Sequence, residues 1–139
     1  ILRKLGGYLD TYRYVCDYEF VTRIAEVSKI GSIPKILIKY RQHPNQMTCT
    51  NSKEQIIQML LLQSNLQQRW LGLVPKLHIQ HEIQTVSKKF RSINPILRQE
   101  CLDWLNRLTN TFIEQFKLEG IELDQILQDS NKKRSRLME

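Results

Sequence analysis

At 139 residues, 41% apolar and with a formal net charge of +7, the chain can bury one modest core. Its basic balance favours anionic partners, without choosing among nucleotide phosphates, nucleic acid and acidic lipid. Cys16, Cys49 and Cys101 are far apart and form no Cys-x-x-Cys pair. That argues against a disulfide framework or a clustered zinc site and points to a reducing, cytoplasmic setting. The longest apolar run, residues 59–62, is far too short to span a bilayer, and residues 1–5 lack both an initiator methionine and the core of a signal peptide. A piece of a longer protein is expected.

In chain order, residues 1–5 read as the tail of a helix, stopped at Gly6-Gly7, where glycine takes a left-handed conformation without penalty. A tyrosine-rich loop follows. Phe20, Ile24 and Val27 then recur at helical spacing, with Val21 and Ala25 widening the stripe, so a helix is predicted over about 18–28 with Asp17 at its N-cap. Glu19 does not share the face of Asp17 and reads as structural, orienting the loop or pairing with a nearby cation such as Arg23. Ile36, Ile38 and Tyr40 alternate with Lys35, Lys39 and Arg41, the pattern of a strand over roughly 33–41 with one buried face. Pro44 ends it.

The polar residues 44–52 read as a linker, dividing the chain into a portion of mixed α/β character (1–50) and a helical extension (51–139). Ser52-Lys53-Glu54-Gln55 fits a capping box. Ile56, Met59, Leu62, Leu66, Trp70 and Leu73 share the face of a first helix, broken at Gly72 and Pro75. A second is expected over about 76–91 on Ile79, Ile83, Val86 and Phe90. Asn94-Pro95 opens a third, with Leu97, Cys101, Trp104 or Leu105, Leu108, Phe112 and Phe116 along it. A short fourth carries Leu123, Ile126 and Leu127, and residues 131–136 are expected to fray or lie in solvent. His78 and His81 share a helical face and read as solvated, because a metal would need ligands that the spacing does not supply. Lys88, Lys89 and Arg91, like the basic run 132–136, read as solvated charge that could also touch anionic lipid.

Three motifs gain weight together: Gly6-Gly7-Tyr8; Asp17-Tyr18-Glu19 with Arg23 and Ala25; and Tyr40-Arg41-Gln42-His43-Pro44-Asn45. In order and separation they resemble the C-terminal end of the catalytic domain of family 2 glycosyltransferases, over about the first 50 residues. The departure is Cys16, where that family usually has an acidic residue. The resemblance implies an α+β, mostly helical fragment: the C-terminal piece of a GT-A α/β catalytic domain, followed by a four-helix extension. The nucleotide-binding half is absent, since no Asp-x-Asp motif occurs.

The resemblance also implies a chemistry. Asp17 would take the proton from an acceptor hydroxyl as that oxygen displaces a nucleoside diphosphate with inversion, which requires an ionised carboxylate within hydrogen-bond reach. Arg41 and His43 would contact the donor diphosphate, and His43 a divalent metal, manganese or magnesium. The partners implied are a nucleotide-sugar donor and a glycan or lipid-linked acceptor, in cell-surface polysaccharide synthesis at the cytoplasmic membrane face. By itself the chain is expected to be inactive, to hold no metal tightly, and to self-associate through residues 1–43, whose apolar faces lack a sheet to cover them. Two other readings compete. One is a non-catalytic helical protein-interaction module. The other, a nucleic-acid-binding domain, is disfavoured because the charge is diffuse: 8 Lys/Arg against 4 Asp/Glu in residues 1–52, and 13 against 10 beyond.

Overall fold

The computed structural model describes residues 2–85 and 94–138. Among these, two short 3-10 turns (Leu2–Leu5 and Asp10–Tyr12) precede α1 (Cys16–Val27), α2 (Met47–Thr50), α3 (Ser52–Leu71), α4 (Leu77–Thr85), α5 (Pro95–Phe116) and α6 (Gly120–Met138). The chain groups into two compact units, Ile1–Leu62 and Gln63–Glu139.

In the first unit, α1 begins earlier than the apolar spacing predicts, with Val15 rather than Asp17 at the N-cap. Val15 is buried and fixes the start of the helix, which moves Asp17 into the first turn. The expected stripe is not the buried face either. Val21 and Val27 are exposed, while Glu19 and Thr22 are the buried residues of the helix. Both the N–H and the carbonyl of Tyr14, just before α1, are held by α3. Gln58 Oε1 accepts from the N–H at 2.9 Å, and Gln55 Nε2 donates to the carbonyl at 3.3 Å. Gln55, predicted to close a capping box at its own helix start, thus reaches across to a distant loop.

The predicted strand is corrected: the described residues contain none. Residues 29–43 form an irregular connection whose one backbone hydrogen bond before His43, among the described residues, runs from Lys35 N–H to Ile33 O at 2.8 Å. The physical reason is that a strand is stabilised by its neighbour's backbone, and no other stretch among the described residues offers one. Ile36 and Ile38 accordingly stand 96% and 82% exposed. The GT-A α/β part of the expected fold is therefore not seen, whereas its mostly helical character is.

The second unit is helix on helix. Gly72, at φ +65°, ends α3 as expected, and its N–H bonds back to Gln68 O. Asn94 caps α5 by accepting from Ile96 N–H at 2.8 Å, with Pro95 in the first turn. Lys117, left-handed at φ +49°, closes that helix one turn before α6. The core joins Ile79, Cys101, Leu105 and Leu137, with Ile83, Leu97, Leu102 and Trp104 packed against it.

Leu137 lies beyond the residues predicted to be helical. The final helix is neither short nor frayed, for α6 continues through the basic run to Met138. Leu123, Ile126, Ser130, Arg134 and Leu137 keep one helical face toward the rest of the unit. The Ser130 hydroxyl lies 2.9 Å from that of Thr109, which itself donates to Leu105 O at 2.7 Å. With the threonine proton committed there, Ser130 is the donor of the pair. The residues Val86, Lys88, Lys89, Phe90 and Arg91, singled out from the sequence, lie outside the described residues.

Candidate functional site

The motifs singled out at the N-terminal end meet in one structural device. Consecutive glycines, Gly6 and Gly7, both sit at φ +74°, a left-handed conformation that side-chain-bearing residues rarely adopt. This turns two carbonyls toward α1. Arg23 takes both, donating through Nη1 to Leu5 O and through Nη2 to Gly7 O at 2.5 Å. The other edge of its guanidinium is gripped by Glu19, with Nε to Oε1 at 2.6 Å and Nη2 to Oε2 at 2.9 Å. This is a bidentate pair one helical turn apart. The Glu19 hydrogen bond raises the Arg23 pKa above its ordinary value. Phe20 completes the corner. Its ring lies 5.2 Å from the Arg23 guanidinium and meets the Tyr8 ring edge-on at 5.2 Å. The structural role assigned to Glu19 and Arg23 is what the geometry shows.

Asp17 stands free of that clamp. It is exposed on the first turn of α1, where its Oδ1 accepts from Tyr18 N–H at 2.8 Å. A carboxylate there complements the helix dipole and remains open to an incoming hydroxyl group. Arg41 and His43 are also exposed. The chain turns at His43, where its N–H donates to Gln46 Oε1 at 3.3 Å and its carbonyl accepts from Gln46 N–H at 3.1 Å. No hydrogen bond or ion pair among the described residues links Asp17 with Arg41 or His43.

For a metal, the donor set is incomplete. No group of three or more His, Cys, Asp or Glu side chains comes together among the described residues. His43 supplies a single nitrogen donor, so the residues here do not by themselves form a divalent-ion site. His78 Nε2 lies 3.9 Å from Glu100 Oε2, and His81 Nδ1 lies 3.8 Å from Glu82 Oε1, both partly exposed as expected of a solvated face.

The second unit also buries polar atoms that sequence reasoning did not single out. Gln80 is 4% exposed, with neither amide atom hydrogen-bonded, and Trp104 Nε1, Arg98 Nε and Arg134 Nε are likewise buried without a partner. Gln80 follows Ile79 in α4 but lies to the side of the predicted stripe, so neither its burial nor its lack of a partner could be read from spacing. Cys101 is fully buried, and loss of solvation, reinforced by Glu82 and Glu100, pushes its thiol up to about 11. It is therefore a protonated packing residue at neutral pH and not a nucleophile.

No family model, curated protein or solved structure matches the chain. No helix among the described residues is long and apolar enough to cross a membrane.

Proposed function

We propose that the chain is the C-terminal part of an inverting, family 2-type glycosyltransferase catalytic domain joined to a helical extension. The observation supporting this reading is that separate pieces of the resemblance share one physical task. Gly6-Gly7, Tyr8, Glu19 and Arg23 lock the glycine turn onto α1 while leaving the Asp17 carboxylate exposed on its first turn. The clamp holds the start of the chain against the helix that carries Asp17, and the carboxylate itself is open to solvent.

In this reading Asp17 accepts the acceptor's hydroxyl proton as the oxygen bonds to the anomeric carbon and the nucleoside diphosphate departs from the opposite face. Arg41 and His43 contact the diphosphate. The donor's nucleotide cradle and further ligands for manganese or magnesium belong to residues other than these, so no step is drawn through a metal.

The test is made on a protein carrying this chain together with a nucleotide-binding half. Asp17→Asn should lower turnover by about 10²–10⁴-fold, with the circular dichroism spectrum and donor affinity unchanged. Turnover within a few-fold of the parent returns Asp17 to a purely helical role. Calorimetric titration of nucleoside diphosphate, with and without manganese, should show weaker binding in Arg41→Ala at any metal level and in His43→Ala only when metal is present. Equal affinities in both variants would make that corner structural. The rival reading, a helical interaction module, draws on the second unit having a core of its own.

A further inference from the structure

We propose that residues 29–40 form a membrane-surface contact, laying apolar side chains among the headgroups of an anionic bilayer. Six large apolar residues here are exposed: Ile30, Ile33, Ile36, Leu37, Ile38 and Tyr40. Contiguous apolar exposure on this scale marks a surface that is covered in use. Between them stand Lys29, Lys35 and Lys39, and no acidic residue occurs between Glu26 and Glu54. The same segment therefore offers both signals that stable surface binding needs, apolar insertion and attraction to anionic lipid.

The backbone fixes the depth. Among the described residues the segment's only internal backbone hydrogen bond runs from Lys35 N–H to Ile33 O, and Ser28 Oγ donates to Lys29 O, so most of its other amides and carbonyls need water or phosphate oxygens. The headgroup layer supplies these and the hydrocarbon interior does not, so the segment lies on the surface and only its side chains enter.

A second copy of the chain is a poorer occupant. Antiparallel pairing about Leu37 sets Lys35 of each copy against Lys39 of the other, and like charges directly opposite are destabilising. Leu37 is exposed together with Ile36 and Ile38, and pairing as a strand would turn Leu37 to the face opposite theirs. A sheet partner would cover one side and leave the other bare. The inference stands apart from the transferase reading, because its test leaves Asp17, Arg41 and His43 unchanged.

The experiment is co-sedimentation of the 139-residue chain with vesicles of phosphatidylglycerol and phosphatidylcholine, against vesicles of phosphatidylcholine alone, with analytical ultracentrifugation of the free chain alongside. Binding to the anionic vesicles only is expected, weakened about tenfold or more in about 0.5 M salt. Ile36→Ser/Ile38→Ser and Lys35→Ser/Lys39→Ser should each reduce it by about tenfold, with an unchanged circular dichroism spectrum. The proposal is overturned by absence of anionic-vesicle binding, or by binding indifferent to either double variant. It is equally overturned by a dimer that Ile36→Ser/Ile38→Ser dissolves in a chain that ignores vesicles, which would make a second copy the occupant.

Discussion

In the first unit the side chains that α1 buries are polar, Glu19 and Thr22, and order is imposed by a guanidinium fork reaching two carbonyls. In the second, the most deeply buried side chains are Cys101 and Leu137, packed with Ile79 and Leu105. Directional bonds place atoms sharply but contribute modestly to net stability, whereas apolar packing supplies most of the free energy with little directional demand. The contrast is local: directional bonds hold the glycine turn to α1, while the first unit also buries Val15, Leu60 and Leu62 and the second packs its helices through an apolar core.

That contrast can be broken at four points. The largest effect is expected at Leu137, 2% exposed: Leu137→Ala should cost about 2–5 kcal/mol in urea denaturation, with the loss registered by hydrogen exchange in α5 and α6. A frayed tail would give almost none. Next is the Cys101 thiol. Its folded pKa lies above the ordinary 9.0, so its contribution is complete below pH 9 and is lost as pH rises through about 11. Wild type should therefore lose about 2–3 kcal/mol more than Cys101→Ala between these limits, measured by parallel denaturation across the pH range. A thiol reagent at neutral pH should likewise label Cys49 in the folded chain and spare Cys101 until unfolding.

Asn94→Ala removes the cap of α5 and should cost about 1 kcal/mol, with Asn94→Ser retaining most of it. Smallest in global stability, and sharpest in place, is Arg23→Lys. A lysine keeps the charge but cannot hold Glu19 and two carbonyls from one planar fork. Amide exchange should accelerate in residues 2–27 while the main denaturation transition stays put. A shift of the whole transition would show that the clamp also supports the rest of the fold.

Local rules were legible where a residue satisfies its own helix. Gly72 and the Asn94-Pro95 pair mark real ends because their conformations and bonds are settled within a turn. The Glu19–Arg23 pair was legible for the same reason, being four residues apart on one helix. What failed depended on distant partners. Alternation at 35–41 describes a strand only if another strand lies beside it, and among the described residues none does. Asp17 looked like a cap because spacing cannot reveal that Val15 is buried. The last helix was cut short because a run of Lys and Arg hid a face on which Ser130 and Leu137 still point inward. Of the candidate site, the residue types and the clamp could be read, but not how Arg41 and His43 stand to Asp17, since that arrangement is set by tertiary partners rather than by local spacing.

The two glutamines that hold Tyr14 carry a consequence for how the chain acquires this structure. They bond to a loop 41 and 44 residues earlier in the sequence. Closing so long a loop must precede any reward from those bonds, and such non-local contacts slow folding. On a ribosome, α1 would emerge well before Gln55 and Gln58 were made, and would wait without the helix that satisfies its preceding loop. The segment around Asp17 is thus expected to be among the last parts of the first unit to become ordered, although it is among the first to be synthesised.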